Sequence, residues 1–199
     1  PEKGQILYDG LDFSAMKKKE KKKIRTQIGM LFQGGALFDS LSVIENVIFP
    51  LKMFTKMSRK EMLDRANFCL ERVDIIDKNN LFPSEISGGM QKRVAIARAI
   101  VMKPKYLFCD EPNSGLDPLT AILIDNLIKE LTEEYNMTTV VITHDMNSVL
   151  EIGDNIMFIY KGKNHWEGDK DSIITTPNKE VNDFVYSSKF LKLFKEKMN

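Results

Sequence analysis

The sequence is poor in cysteine and has no long apolar run. Its 2 cysteines, Cys69 and Cys109, are too few for a disulfide framework and lack the spacing of metal ligands. Both have apolar neighbours, which predicts small buried side chains. No apolar stretch approaches the roughly 20 residues that a bilayer-spanning helix needs. The longest runs have the length of single strands.

An excess of charge of one sign is also absent. The 199 residues carry 29 basic and 28 acidic side chains, a formal net charge of +1, which argues against a surface built as a whole for nucleic acid. With 43% hydrophobic and 29% charged residues, wholesale disorder is excluded and one domain or slightly more is predicted. The local exception is Lys17 to Lys23, with six lysines in seven positions. Since no aromatic residues interleave, we predict a solvated helix start there, not a nucleic-acid or lipid surface.

Strands that alternate with helices of ten or more residues predict crossover units and a mainly parallel sheet. Predicted strands lie at 5–8, 28–32, 105–109 and 138–143, the last two buried, with a hairpin formed by 155–160 and 164–167. Predicted helices lie at 58–73, 91–102, 119–135 and 146–152, and the chain is predicted to be helical from 169, with Phe184, Phe190, Leu191 and Phe194 as its apolar residues. Ser58 and Glu61 form a capping box, and Pro50 should stop or kink a helix over 43–53.

Polar residues follow three of these strands. In parallel sheets, ligands collect at the carboxyl ends of the strands, which here carry Gln33, the pair Asp110-Glu111, and His144. Asp110 could present a carboxylate to magnesium, and Glu111, on the other side of the strand, could polarise a water molecule. This combination suits phosphoryl transfer.

The loop Ser87-Gly88-Gly89 adds a phosphate-binding feature. Two glycines let backbone amides approach a phosphate closely, and the helix that follows offers its positive end to the same anion. The loop is connected to the strand before Asp110 by a helix that carries Arg93 and Arg98.

These residues resemble the motifs of ATP-binding cassette (ABC) ATPases. The sequence ISGGMQKRVAIARA at 86–99 resembles the signature motif, LFCDEP at 107–112 the Walker B motif, SGLDP at 114–118 the D-loop, ITHD at 142–145 the switch-histidine motif, and LFQ at 31–33 the Q-loop. The signature departs from the usual form at Ile86, in place of leucine, and at Met90, in place of glutamine. The residues that would meet phosphate are intact.

The resemblance implies a P-loop NTPase-like α/β fold of a single ABC ATPase domain, 1–199, with a three-layer core around a mainly parallel sheet. It assigns 1–33 and 104–168 to a RecA-like core, about 34–103 to a helical subdomain with the signature motif, and 169–199 to C-terminal helices. ATP and Mg²⁺ are the implied ligands.

The resemblance also implies roles in a nucleotide site of the same subunit. Asp110 would hold Mg²⁺, mostly through water, and Glu111 would orient the hydrolytic water. His144 would contact the γ-phosphate, and Gln33 would touch the metal and report occupancy to a partner.

Other roles would be exerted across a dimer. Ser87, Gly88 and Gly89 would cap the γ-phosphate of a nucleotide held by a second ATPase subunit, and Asp117 would cross the interface of this homodimer. Transmembrane permease subunits are the further implied partners. They would place the ATPase at the cytoplasmic face of the inner membrane, with no membrane contact of its own and no nucleic-acid partner.

One motif of the family is missing. No Gly-x-x-x-x-Gly-Lys-[Ser/Thr] occurs in the sequence, nor does the adenine-stacking aromatic that precedes it. Residues 1–10 resemble the strand that follows the P-loop helix. The chain is therefore expected to be an N-terminally truncated part of a longer ATPase, inactive by itself; the alternative is a P-loop-less paralogue acting as a non-hydrolysing binding or regulatory module.

The spacing of the motifs favours a transporter subunit. Only 54 positions separate Gln33 from Ser87, which leaves no room for the long coiled coil of chromosome-structuring ATPases, and a single cassette disfavours the ribosome-acting class. The segment 32–47, together with Ser-Gly-Gly-Met, resembles ATPases of the lipid-asymmetry group, which energise phospholipid traffic across Gram-negative envelopes. The alternative is a different substrate, such as an organic solvent, an amino acid or a lipoprotein.

Overall fold

The computed structural model describes residues 3–187, which belong to two compact units divided after Ile142. The first unit contains the strands β1 (Leu7–Tyr8), β2 (Leu11–Asp12), β3 (Ile28–Leu31), β4 (Tyr106–Asp110) and β5 (Thr138–Ile142). Its helices are α1 (Lys18–Arg25), α2 (Val43–Phe54), α3 (Arg59–Arg72), α4 (Gly88–Ile100) and α5 (Pro118–Glu134).

Strands β3, β4 and β5 form a parallel sheet with β4 in the centre. Leu31 pairs with Cys109 in the register, and Asp110 pairs with Ile142, so that the carboxyl ends of the three strands meet at one edge. Leu31, Leu107 and Cys109 point into the core and are each 1% exposed. The predicted α/β fold with a parallel sheet is confirmed.

The prediction of a buried strand at 138–143 was wrong about burial. Residues of β5 alternate between exposed and half-buried, with Val140 43% and Ile142 61% exposed, while Val141 packs against the core. The apolar run suggested burial on both faces, as in central parallel strands. Within residues 3–187, β5 pairs with β4 alone, and one of its faces is open.

Helices α2, α3 and α4 pack against one another and contribute much of the core. The capping box predicted at Ser58 and Glu61 is present, with the Ser58 N–H donating to the Glu61 carboxylate at 2.7 Å. Helix α2 does not stop at Pro50, because the proline removes one donor only and the N–H of Thr55 still bonds to the carbonyl of Leu51 at 3.0 Å.

The second unit contains α6 (Met146–Ile152), β6 (Ile156–Tyr160), β7 (Lys163–Gly168), α7 (Lys170–Thr175) and α8 (Lys179–Val185). Strands β6 and β7 form the predicted antiparallel hairpin. The buried core of the second unit consists of Ile173, Val181 and Val185. The ring centroids of Phe158 and Phe184 lie 5.4 Å apart. Phe190, Leu191 and Phe194 lie outside the described residues.

Cys69 and Cys109 are buried free thiols, and burial raises the pKa of Cys69 to about 11 and that of Cys109 to about 12. The lysine-rich segment forms α1, which has no buried residue. Within residues 3–187, no helix has both the length and the apolar composition to cross a membrane. The subdivision into a RecA-like core, a helical subdomain and C-terminal helices stays a prediction.

Candidate functional site

Gln33 and the pair Asp110-Glu111 lie at the carboxyl edge of the sheet, in the first unit. Asp110 is the last residue of β4 and is exposed, and the N–H of Glu111 donates to the carbonyl of Ile142 on β5 at 2.9 Å. Gln33 lies two residues beyond β3, and its Nε2 donates to the Ser114 hydroxyl at 3.4 Å. Glu111 has a φ of +47°, a left-handed backbone that is uncommon for a residue with a side chain.

Sequence reasoning missed Lys92, which connects these two segments. The residue is only 6% exposed, and its Nζ donates to the backbone carbonyl of Gln33 and, at 3.4 Å, to that of Glu111. Burial lowers the pKa of Lys92, and the nearby charge of Glu111 opposes this effect. The lysine thus fixes the backbone of both Gln33 and Glu111 from a third element, α4.

A second basic residue of α4 holds the rest of the Q-loop. The Arg98 guanidinium donates to the carbonyls of Gly35 at 2.6 Å and Ala36 at 2.7 Å. Both residues have positive φ, +73° for Gly35 and +47° for Ala36, which turns their carbonyls out of a regular strand. Burial lowers the pKa of Arg98. The Q-loop backbone is therefore attached to α4 at three carbonyls.

The signature loop forms the beginning of α4. Ser87 is the N-cap, and its hydroxyl accepts the N–H of Met90 at 3.3 Å. Gly88 and Gly89 are the first helical residues, so the helix begins earlier than the predicted residue 91. A Cβ on Gly89 would lie 2.9 Å from the Thr120 side chain, which explains the need for glycine where α4 meets α5.

Asp117 lies at the same groove as the signature loop. It caps α5 by accepting the Thr120 N–H at 3.1 Å and the Thr120 hydroxyl at 2.5 Å, and these bonds lower the pKa of Asp117. A groove of about 980 Å³ is lined by Ser87, Gly88, Gly89 and Asp117, with Arg93 and Thr120 beside them. The structure thus brings together the four residues that were expected to act across a dimer.

His144 lies in the second unit, between β5 and α6, and is exposed. Within residues 3–187, no three His, Cys, Asp or Glu side chains group in a way that could hold a metal by themselves. The exposed carboxylate of Asp110 suits Mg²⁺ on a nucleotide, which takes one or two carboxylates and completes its shell with phosphate oxygens and water.

The arrangement places a carboxylate pair and a glutamine at a sheet edge and a Ser-Gly-Gly turn at a helix start. The family model for the ABC transporter matches residues 1–114. The chain belongs to the ABC transporter family. The ABC resemblance of its motifs is thereby confirmed at the level of the ATP-binding domain.

The names of two curated relatives of this ABC chain refer to transport. It is 41% identical over 188 residues to methionine import ATP-binding protein MetN 2 of Bacillus cereus, covering 94% of the chain and 55% of the relative. It is 37% identical over 185 residues to probable ribonucleotide transport ATP-binding protein mkl of Mycobacterium leprae, covering 93% of the chain and 53% of the relative. The chain thus spans about half the length of these relatives.

A solved structure gives the same picture of the fold. The dimeric cassette MJ0796 in a post-hydrolysis state bound to ADP and Pi aligns with a TM-score of 0.75 at 35% identity, covering 84% of this chain and 74% of the other.

The narrower resemblance to the lipid-asymmetry group is not supported, because the relatives named above are associated with methionine import and ribonucleotide transport.

Proposed function

We propose that the chain carries the hydrolytic residues of an ABC transporter's ATP-hydrolysing subunit. The observation that supports this function is the cluster at the carboxyl edge of the sheet, where Lys92 attaches Gln33 and Glu111 to the helix that begins with the signature loop. Because the sequence contains no P-loop, we expect the isolated 199-residue chain not to turn over ATP.

Four residues would serve the nucleotide of their own subunit. Asp110 would hold Mg²⁺ with help from Gln33, while Glu111 would orient the attacking water and accept its proton. His144 would contact the γ-phosphate. When bound, Mg²⁺ would neutralise charge on the phosphate oxygens during transfer.

The groove residues would serve the nucleotide of a second copy. Ser87, Gly88 and Gly89 offer backbone amides and a helix N-terminus, which together suit an anionic phosphate. Asp117 lies at the same groove and would contact the partner across the homodimer interface. Each hydrolytic site would then combine Glu111 of one subunit with Ser87 of the other.

Mixing two inactive variants tests this composite site. In the complete gene product, Ser87→Arg would obstruct the phosphate contact and Glu111→Gln would remove the base, so that each homodimer should be inactive. A mixed dimer retains one site with both residues intact, and mixing should therefore restore phosphate release. Mixing each variant with itself at equal total concentration is the control. No restoration, despite exchange of subunits demonstrated by affinity tags, would contradict the dimeric site.

For the transported substrate, we propose import of a small polar solute, of which methionine is the first candidate, through a transmembrane permease at the cytoplasmic face of the inner membrane. The names of the relatives at 41% and 37% identity support this choice. A phospholipid or a related hydrophobic substrate is the second candidate, and it rests on the sequence of the segment 32–47 and on the Ser-Gly-Gly-Met turn.

Reconstitution separates the two substrates. The complete ATPase with its cognate permease in liposomes should hydrolyse ATP faster when methionine and its binding protein are supplied. Stimulation by a change in phospholipid composition alone, with no response to methionine, would favour the second candidate. Omitting the permease controls for hydrolysis that is not coupled to transport.

A further inference from the structure

Lys92 is a buried cation on α4. Its Nζ donates to two backbone carbonyls, those of Gln33 and Glu111, which belong to segments 59 and 19 residues away in sequence. Burying a lysine costs free energy unless its ammonium group is hydrogen-bonded, so the two bonds are what make this position tolerable. The long side chain thus acts as a cross-link between the Q-loop and the end of β4.

The two carbonyls belong to the residues whose side chains the proposed hydrolysis uses. A carbonyl held in place fixes the peptide plane, and this limits the directions that the attached Gln33 and Glu111 side chains can take. Arg98 holds the same loop two and three residues further along, through the carbonyls of Gly35 and Ala36. Since the Gln33 amide also reaches Ser114, the Q-loop is fixed on both sides.

The position of Lys92 along α4 adds a second point. Lys92 lies five residues after the N-cap Ser87, about 7.5 Å along the axis at the rise of an α-helix. The first turn of α4 faces the groove lined by Ser87, Gly88 and Gly89, whereas Lys92 reaches the sheet edge. One helix therefore contributes to two separate parts of the molecule.

We propose that Lys92 is a positioning residue for ATP hydrolysis, holding Gln33 and Glu111 of its own subunit in the geometry that water attack requires. This inference rests on the proposed function. It assigns to Lys92 a role distinct from that of Ser87, although both are on α4: Lys92 acts within its subunit, and Ser87 acts on the nucleotide of the partner.

Lys92→Met in the complete gene product should lower kcat about 10- to 100-fold, the range expected when a reacting group is displaced by up to about 1 Å. The KM for ATP and the Kd for MgATP should change little, since neither Gln33 nor Glu111 provides the main phosphate cradle. Methionine keeps most of the length and apolar packing of the lysine side chain and removes its donors. Lys60→Met, at an exposed position of α3, is the matched control and should behave as wild type.

Mixed dimers distinguish positioning from a general disturbance of α4. In the dimer of Ser87→Arg with Glu111→Gln, the intact site uses Glu111 of the first subunit and Ser87 of the second. Adding Lys92→Met to the Ser87→Arg subunit should lower the restored hydrolysis by the same factor of about 10 to 100, whereas adding it to the Glu111→Gln subunit should leave it unchanged. Equal loss in both placements would show a general disturbance of α4, and loss only in the Glu111→Gln subunit would show that Lys92 supports the signature turn; either result would overturn the proposal.

Loss of MgATP binding and unchanged hydrolysis are the two further outcomes to be distinguished. If Lys92→Met does not bind MgATP, Lys92→Arg, which keeps charge and donors but moves them, replaces it in both measurements. Wild-type kcat in a Lys92 variant that binds MgATP would overturn the inference. If Glu111→Gln itself still hydrolyses ATP, the proposed function fails, independently of any result for Lys92.

Discussion

Glu111→Gln in the complete gene product is expected to lower steady-state ATP hydrolysis by about 10²- to 10⁴-fold, the contribution typical of a general base. Glutamine has nearly the same shape as glutamate but cannot accept the proton of the attacking water. Binding of MgATP should persist, and the unhydrolysed nucleotide should hold two subunits together. Phosphate release, nucleotide binding and size-exclusion chromatography with ATP measure the three effects.

The matched control for this substitution is Glu71→Gln, at an exposed position of α3 outside the five motifs. It removes the same charge and should leave all three measurements unchanged. Undiminished hydrolysis in Glu111→Gln would exclude Glu111 as the base and would favour the alternative of a non-hydrolysing module.

Leu107→Ala is expected to lower the free energy of unfolding by about 2 to 5 kcal/mol, the range for removing a buried leucine side chain. Leu107 is 1% exposed on the central strand β4 and belongs to the main core, near the place where β3 and α4 approach each other closely. A Cβ on Gly29 of β3 would lie 3.2 Å from Leu107 and 2.5 Å from the carbonyl oxygen of Ala99. Because β3 and α4 are already this close, the surrounding atoms have little room to move into the cavity that Leu107→Ala would leave.

Val140→Ala on β5 is the comparison within the same sheet. Val140 is 43% exposed on the opposite face, and its truncation should change the free energy of unfolding by less than about 1 kcal/mol. Urea unfolding of both variants, followed by circular dichroism, gives the two values. Similar losses at the two positions would contradict the burial pattern of the sheet.

The sequence was sufficient for the main elements because their signals are local. A strand followed by Asp110-Glu111 and a capping box at Ser58 each depend on neighbouring residues, and both were predicted. The start of α4 was placed at residue 91 because Gly88 and Gly89 have low helix propensity, whereas the cap at Ser87 and the packing of Gly89 on Thr120 begin the helix earlier.

The residues that organise the site could not be predicted in the same way. Lys92 and Arg98 lie in a motif that sequence analysis found, but their partners are backbone carbonyls of the Q-loop, 59 to 63 residues away. A backbone carbonyl has no sequence signature, so such contacts become visible only when the chain is folded. The roles of Gln33, Asp110, Glu111, His144, Ser87, Gly88, Gly89 and Asp117 stay predictions that the variants above address.

The backbone of Glu111 has a consequence for the balance between stability and activity. Its φ of +47° is a conformation that glycine adopts freely and that costs other residues about 1 to 2 kcal/mol. The folded protein thus carries a local conformational penalty at the residue proposed to activate water. Substitutions selected only for thermal stability would favour glycine at this position, and a stability screen of this protein would therefore enrich inactive variants unless turnover is measured in parallel.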